Sequence, residues 1–156
     1  METSIKNIKE TLEKNLIPML LGEPGTGKLS CIENLSKIMH TKCFVLACNQ
    51  LDDKADLITI RITKNNNEIV FYPHEIIKNA ITYAEENPRE TPILVFDELN
   101  RTTPDVISEI VSIIISKSIG SKKLPDNLKI IITGKNGKKN VVQNILDDRF
   151  VVVFNK

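Results

Sequence analysis

Three glycines and a lysine lie close together near the start of the chain, at a spacing that suits phosphate chemistry. Residues 22–28 read Gly-Glu-Pro-Gly-Thr-Gly-Lys and satisfy the pattern G-x-x-x-x-G-K. Glycines let the backbone approach a pyrophosphate and adopt left-handed dihedrals, while the ammonium group of Lys28 can reach β- and γ-phosphate oxygens. The pattern predicts a phosphate-binding loop, and a tight turn between a strand and a helix is the structural alternative. The candidate binding residues are Gly22, Glu23, Pro24, Gly25, Thr26, Gly27, Lys28, Leu29 and Ser30.

A pair of carboxylates follows the most hydrophobic segment of the chain. Asp97 and Glu98 come directly after Ile-Leu-Val-Phe at 93–96. Two carboxylates cannot both be buried at the end of a strand without a cation or another partner. If this strand neighbours the strand before the loop, Asp97 would hold a nucleotide's Mg²⁺, directly or through water, and Glu98 would orient or deprotonate an attacking water. The alternative is that the pair only solvates the end of the strand.

Hydrophobic periodicity predicts strands that alternate with helices. Strands are expected at 17–21, 42–47, 93–96, 128–133 and 150–154. Helices are expected at 3–14, at 28–40, at 73–86 with Pro73 as the first helical residue, after an N-cap at Thr103 with Pro104 in the first turn, and at 141–147. Segments 58–62 and 69–72 alternate around an Asn-rich turn, which predicts a hairpin. This order implies an α/β fold with a mainly parallel sheet and ligands at the carboxyl ends of its strands.

The composition limits the classes of protein to which the chain can belong. With 156 residues, 41% of them hydrophobic and 26% charged, the sequence fits one folded domain over residues 1–156. Lys and Arg number 21 and Asp and Glu number 20, so bulk charge gives no reason to expect nucleic acid or an anionic membrane. The apolar runs are shorter than the ~18–20 residues of a membrane span, and the N-terminus lacks an apolar signal segment. We therefore expect a cytoplasmic protein without membrane contact.

The cysteines and histidines do not form a recognisable metal or disulfide pattern. Cys31, Cys43 and Cys48 lack C-x-x-C spacing, and His40 and His74 lie far apart without an H-E-x-x-H context. We expect reduced packing thiols. The histidines are expected on the surface or at a helix cap.

The sequence resembles a known family, the AAA+ ATPases, over nearly its whole length. Residues 22–28 are similar to the Walker A motif of the branch that includes MoxR-type ATPases and the midasin-like and McrB-like proteins. Phe-Asp-Glu-Leu-Asn-Arg at 96–101 is similar to the Walker B motif of that branch and the Asn-Arg that follows it. The resemblance implies a P-loop NTPase fold of the AAA+ type, a three-layer sandwich with a mainly parallel five-stranded sheet, helices on both faces and an inserted hairpin. It also implies ATP, or GTP as in McrB-like relatives, together with Mg²⁺.

The strand at 128–133 resembles the sensor 1 strand of the family. Members usually have Thr, one variable residue and Asn, and the polar residue contacts the γ-phosphate or the attacking water. Here the order is Thr-Gly-Lys-Asn at 133–136, so the asparagine comes one place late. The resemblance makes Asn136 the first candidate for this catalytic role and Thr133 the second.

The same resemblance suggests functions for Arg149 and for the hairpin at 58–72. Arg149 resembles the arginine that reaches a nucleotide bound on the neighbouring subunit, which implies a homo-oligomer in which Arg149 acts in trans. A surface ion pair of Arg149 with Asp147 or Asp148 is the alternative. The hairpin at 58–72 lies where related proteins carry an insert that faces a pore or DNA, and a plain structural hairpin is equally compatible.

The chain departs from the family pattern directly after the loop lysine. Members have Ser or Thr there, whose hydroxyl ligates Mg²⁺, whereas this chain has Leu29. Ser30 is about 100° further around the helix, so we expect it to face the α-phosphate instead of the metal. The sequence also stops at the last core strand, without the helical lid that forms part of the base pocket in the family. We expect weakened Mg²⁺ binding, slower hydrolysis and poor base selectivity.

The sequence supports three functional hypotheses. The first is an ATPase that hydrolyses Mg-ATP in an oligomer to remodel a protein or nucleic-acid partner. The second is a nucleotide-binding regulatory or assembly module with little or no hydrolysis, which Leu29 and the missing lid favour. The third is a nucleic-acid-binding protein with a basic patch at Lys122, Lys123 and 135–139, although such loops are more often only solvated.

Overall fold

The computed structural model describes residues 2–23, 25–64, 67–135 and 150–155. The described helices are α1 (Glu2–Glu13), α2 (Lys28–Ile38), α3 (Glu75–Glu86) and α4 (Pro104–Ser116). The strands are β1 (Ile17–Leu21), β2 (Cys43–Ala47), β3 (Ile58–Ile62), β4 (Ile69–Pro73), β5 (Ile93–Asp97), β6 (Ser118–Ile119), β7 (Lys122–Lys123), β8 (Lys129–Gly134) and β9 (Phe150–Asn155). Short 3-10 helices lie at Cys48–Gln50, Lys54–Asp56 and Leu99–Arg101.

Five of these strands form one parallel sheet in the order β2-β5-β8-β1-β9. Strand β8 lies between β5 and β1, pairing Ile132 with Phe96 on one side and Gly134 with Leu21 on the other. Because neighbouring strands run in the same direction, the carboxyl ends of β1, β5 and β8 meet at one edge of the sheet. The predicted α/β class with a parallel five-stranded sheet is confirmed.

Helices cover both faces of the sheet, because successive side chains of a strand point to opposite faces. Leu94 and Phe96 of β5 pack in the cluster that contains residues of α3 and α4. Ile93 and Val95 pack in a second cluster with residues of α1 and α2. All four side chains have no exposed surface, as expected of a strand that reads as a continuous apolar run. The result is the three-layer sandwich that the family resemblance implies.

The starts of α3 and α4 test the capping predictions. Thr103 caps α4 by accepting a hydrogen bond from the Val106 N–H at 3.3 Å, and Pro104 is the first helical residue, as predicted. For α3 the prediction was wrong, because Pro73 does not open the helix but ends β4, where it pairs with Ile58. His74 caps the helix instead, since its Nδ1 accepts from the Ile76 N–H at 3.1 Å. The capping role expected for a histidine is thus found here.

The predicted hairpin is present as β3 and β4, which form their own antiparallel sheet. Ile60, Ile62 and Ile69 of this hairpin are exposed by 60%, 68% and 61%. A second, small hairpin of β6 and β7 was not predicted. Its turn contains Gly120 at φ +60°, where an added Cβ would lie 2.9 Å from Ile58 Cδ1. The small hairpin therefore packs tightly on the larger one.

Some predictions concern residues that the structure does not describe. The predicted helix at 141–147 lies outside the described residues, whereas the strand expected at 150–154 is found as β9. Within the described part of the chain, no helix is both long enough and apolar enough to cross a membrane. The three cysteines are free thiols, with Cys31 and Cys48 buried.

Candidate phosphate-binding site

Three loops meet at the carboxyl edge of the sheet, one after each of β1, β5 and β8. The Gly22 N–H donates a hydrogen bond to the Gly134 oxygen at 3.0 Å, which joins the start of the glycine-rich loop to the end of β8. Asp97 ends β5 on the other side of β8. The strand order therefore brings the glycine-rich loop and the carboxylate pair to one place, as the sequence argument required.

The glycine-rich loop encloses its own lysine. Gly25 and Gly27 have φ of +83° and +86°, and a Cβ added at either would meet no atom within 4 Å, so the backbone conformation, not crowding, favours glycine. Lys28 opens α2, and its Nζ donates to the Gly22 oxygen at 2.6 Å and to the Glu23 oxygen at 3.3 Å. The ammonium group thus lies inside the loop, at a helix N-terminus where backbone N–H groups attract anions.

The carboxylate of Glu98 lies between two cations. Its Oε1 is 3.7 Å from Lys28 Nζ, and its Oε2 is 3.8 Å from Arg101 Nη1. The side chains of Lys28 and Glu98 are only 5% and 13% exposed. Among the described residues, no donor is within hydrogen-bond distance of the buried Glu98 Oε2. This oxygen is therefore free to accept a hydrogen bond from a water or a ligand.

Thr133 ties the two carboxylate residues to β8. Its hydroxyl donates to Asp97 Oδ1 at 2.5 Å and accepts from the Glu98 N–H at 2.9 Å. The side chain is fully buried. Glu98 has φ 54° and ψ 47°, a left-handed conformation that costs a non-glycine residue about 1–2 kcal/mol. The bond from Thr133 helps to hold this strained backbone, so one hydroxyl orients Asp97 and Glu98 together.

Asn100 fixes the residue that follows β8. Its Nδ2 donates to the Lys135 oxygen at 2.8 Å, and its Oδ1 accepts from the Lys135 N–H at 3.0 Å. The Lys135 side chain then extends toward the glycine-rich loop, where Nζ is 3.9 Å from Glu23 Oε2. The three loops are therefore connected by side-chain contacts as well as by the strand order.

The residue after the loop lysine offers no oxygen to a metal. Leu29 is half-buried and packs against the cluster beneath α1 and α2, while Ser30 is exposed. The Thr26 hydroxyl donates to the Glu23 oxygen at 2.8 Å. In the part of the chain that the structure describes, no group of three or more His, Cys, Asp or Glu could hold a metal ion. The donor set thus fits Mg²⁺ only as an ion bound by Asp97 together with phosphate oxygens and waters.

Most of the predicted site residues that the structure describes lie in one cluster. Pro24, Asn136 and Arg149 are outside the described residues, so their roles stay predictions. Hydrogen bonds and an ion pair join Gly22, Glu23, Thr26, Lys28, Asp97, Glu98 and Thr133, and Gly25 and Gly27 belong to the same loop.

Sequence reasoning missed two residues of this cluster. It gave Asn100 no role of its own, although Asn100 belongs to the segment 96–101 that carried the resemblance. It treated Lys135 only as part of a basic patch. The position of Lys135 directly after a predicted strand end was the signal that could have identified it.

A separate cavity of about 520 Å³ lies at the opposite edge of the sheet. Leu16 and Ile17 at the start of β1 and Leu128 and Lys129 at the start of β8 contribute to its wall. The glycine-rich loop and the carboxylate pair are at the other ends of these strands. The cavity is therefore not part of the candidate site.

Comparison with known sequences identifies a family. The sequence profile of the AAA domain, dynein-related subfamily, matches residues 18–150. The matched range contains the glycine-rich loop, the carboxylate pair and Thr133. No curated protein sequence matches the chain.

Comparison with solved structures identifies the same fold. A variant of RuvB from Thermotoga maritima has a TM-score of 0.57 at 16% identity, covering 100% of this chain and 45% of RuvB. Another variant of that protein has a TM-score of 0.54 at 16% identity, covering 97% of this chain and 44% of RuvB. A candidate ATPase from Cytophaga hutchinsonii has a TM-score of 0.50 at 15% identity, covering 88% of this chain and 45% of that one. These likenesses concern the fold, and the chain spans less than half the length of each.

Proposed function

Because the chain belongs to the dynein-related subfamily of AAA domains, we propose that it is an ATPase that binds Mg-ATP at residues 22–28 and hydrolyses it. The observation that carries the proposal is the position of Lys28. Its ammonium group contacts two loop carbonyls and lies 3.7 Å from Glu98. A phosphate group that enters the loop can replace these oxygens as the partner of Lys28, and it then lies next to the carboxylate that would activate water.

Each clustered side chain has a task in this proposal. Lys28 and the loop N–H groups bind β- and γ-phosphate oxygens. Asp97, oriented by Thr133, holds Mg²⁺, which when bound neutralises phosphate charge. Glu98 orients or deprotonates the attacking water, for which its buried Oε2 has a free lone pair. The left-handed backbone of Glu98 supports this role, because strained residues are concentrated at functional sites.

The finer parts of the proposal rest on the sequence resemblance. We assign Asn136 to the γ-phosphate or the attacking water, and Arg149 to the nucleotide of a neighbouring copy in a homo-oligomer. The branch with MoxR-type, midasin-like and McrB-like proteins is part of the same proposal, and McrB-like relatives make GTP a second possible substrate. Remodelling of a protein or nucleic-acid partner, and a cytoplasmic location, belong to it as well.

A second candidate function is a nucleotide-binding regulatory or assembly module that hydrolyses little or no ATP. Leu29 favours it, because a half-buried leucine packed on the core cannot ligate Mg²⁺. Magnesium commonly keeps several waters, so a water can take the missing position at the cost of weaker binding. The two candidates differ in turnover, since both require nucleotide binding.

Phosphate release from Mg-ATP, measured across a range of protein concentrations, tests the proposal. The variants are Lys28→Ala, Glu98→Gln and Arg149→Ala, with the exposed residues Glu86→Gln and Arg89→Ala as matched controls. Calorimetry of each variant with ATP measures binding separately from turnover.

We expect turnover to rise steeply with concentration and to be lost in Glu98→Gln and Arg149→Ala but kept in both controls. Lys28→Ala should lose binding as well, because it removes the cation inside the loop. Binding without turnover at any concentration would favour the module over the enzyme. Absence of nucleotide binding in the unmodified chain would contradict both candidates.

A further inference from the structure

Lys135 lies beside Glu23, the second residue of the glycine-rich loop, and has no part in the function proposed so far. It follows Gly134, whose oxygen accepts the hydrogen bond from the Gly22 N–H at 3.0 Å. Asn100 holds its backbone on the other side through two hydrogen bonds of 2.8 and 3.0 Å. The backbone of Lys135 is thus fixed between the loop and the segment that carries Glu98. The Cα atom of Lys135 is therefore held at the edge of the site, within reach of the loop.

The ammonium group of Lys135 has only a weak partner. Nζ is 3.9 Å from Glu23 Oε2, and the two side chains are 49% and 60% exposed. Ion pairs between exposed side chains contribute little to stability, because water screens them and both side chains lose freedom. The cation can therefore leave Glu23 for a stronger partner nearby. A phosphate is such a partner, since it carries more charge and offers several acceptor oxygens.

We propose that Lys135 is a second phosphate-binding cation of this site, and that it binds the terminal phosphate of a nucleoside triphosphate. The proposal rests on the proposed nucleotide binding at residues 22–28. The loop and Lys28 can hold a diphosphate by themselves. A third phosphate bound to Lys28 would lie beside Glu98, close to the carboxyl ends of β5 and β8, and Lys135 directly follows β8. Lys135 therefore distinguishes a triphosphate from a diphosphate.

The same arrangement compensates for Leu29. With no hydroxyl after Lys28, Mg²⁺ would have one protein ligand fewer and would bind the site more weakly. Its positive charge would then be present beside the phosphates for less of the time. A lysine ammonium supplies positive charge without any metal ligand. The preference for ATP over ADP should consequently persist when Mg²⁺ is removed by EDTA.

Calorimetry of the full chain with ATP and with ADP, in EDTA and in Mg²⁺, tests this inference. The variants are Lys135→Gln, Lys135→Arg and Glu23→Gln, together with the double variant Glu23→Gln/Lys135→Gln. Lys123→Gln is the matched control, because Lys123 also forms an exposed ion pair, 3.7 Å from Asp126, at β7.

We expect Lys135→Gln to weaken ATP binding about tenfold in EDTA and to change ADP binding less than twofold, as the loss of a charged hydrogen bond to one phosphate predicts. Lys135→Arg should retain most of the ATP affinity, and Lys123→Gln should change neither affinity. Glu23→Gln should raise ATP affinity a few-fold by releasing Lys135, and this gain should disappear in the double variant.

The outcomes separate this inference from the proposed function. If the unmodified chain binds ATP and ADP but Lys135→Gln leaves the ratio of their affinities unchanged, only the role of Lys135 is overturned. An equal loss for both nucleotides would overturn it too, because that is the effect of general charge or altered folding. If the unmodified chain binds neither nucleotide, the proposed function fails together with the inference.

Discussion

Glu98 combines features that its residue type alone does not predict. Its backbone is left-handed, its carboxylate lies between Lys28 and Arg101, and its N–H is held by Thr133. The sequence indicates a carboxylate directly after an apolar strand, and that part of the prediction follows from the order of the residues at 93–98. The geometry depends on Thr133, which is distant in the chain and adjacent only because β8 lies beside β5.

Leu29 offers a test at the level of one side chain. Leu29→Thr restores a hydroxyl after the loop lysine, so we expect tighter Mg²⁺ binding and turnover that is severalfold faster, since a direct protein ligand replaces a water. Phosphate release measured against Mg²⁺ concentration checks this.

The variant Leu29→Val is the control, because it has nearly the same shape as threonine without the hydroxyl. Both substitutions shorten a side chain that packs on the core, so both should lower the free energy of unfolding by about 1–2 kcal/mol. Equal magnesium dependence and turnover in the two variants would mean that the missing hydroxyl has no effect on catalysis.

The parts of the candidate site that depend on residues close together in the sequence could be predicted. The glycine-rich loop follows from glycine spacing, and the carboxylate pair follows from its place after a buried strand. The two hydrogen bonds between Asn100 and Lys135 could not be predicted, because they join segments that meet only through the order of the strands. The Lys135–Glu23 contact depends on the same order.

At the level of elements, the two hairpins depend on each other. Gly120 in the turn of β6 and β7 faces Ile58 and Phe71 of the larger hairpin, with no room for a Cβ. The larger hairpin exposes apolar side chains on one face and contributes Ile58 and Phe71 to this contact. The small hairpin therefore supports the base of the larger one.

Gly120→Ala tests this packing. Alanine must adopt φ +60° and place its Cβ 2.9 Å from Phe71 Cγ, so we expect the free energy of unfolding to fall by about 2–4 kcal/mol. Urea unfolding monitored by circular dichroism measures the change.

The matched control is Gly25→Ala, where φ is +83° but no atom lies within 4 Å of the added Cβ. Only backbone strain applies there, so the loss should be about 1 kcal/mol. Equal losses at the two positions would contradict a close contact between the hairpins.

The accuracy of the element predictions follows the strength of the periodic signal. Strand β5 is a continuous apolar run and helix α4 has a strongly apolar face after a clear N-cap, and both elements were predicted where the structure has them. Strands β6 and β7 have two residues each, which is too short for any alternation to be visible. Pro73 was misplaced because proline suits the first turn of a helix as well as the end of an edge strand.

On the scale of the whole molecule, the two faces of the sheet each bury a thiol. Cys48 belongs to the cluster beneath α3 and α4, and Cys31 to the cluster beneath α1 and α2. Burial raises the pKa of Cys31. The pKa of Cys48 is raised to about 12, mainly by burial and to a smaller extent by the negative charges of Asp97 and Glu98. Both thiols thus keep their protons more tightly in the folded chain. Their contribution to stability is present below about pH 9 and is lost as the pH rises above it.

These thiols test whether residues 1–156 unfold as one domain. In a Cys43→Ser variant, which removes the half-exposed thiol, we expect Cys31 and Cys48 to react with a thiol reagent at the same rate at pH 8, because both become accessible only on global unfolding. Mass spectrometry of each labelled cysteine, in increasing urea, measures the two rates. Faster labelling of Cys31 than of Cys48 would mean that the α1–α2 face opens by itself.

The order of the strands has a consequence for the chain while it is being synthesised. Among the described strands, β1 pairs with β8 and β9, both of which come much later in the sequence. Until residue 129 has left the ribosome, β1 has neither neighbour, and both of its edges are unpaired. The nascent chain therefore cannot build its phosphate loop early. We expect it to depend on chaperones, or on rapid synthesis of β8 and β9, to protect this strand until its two neighbours have formed.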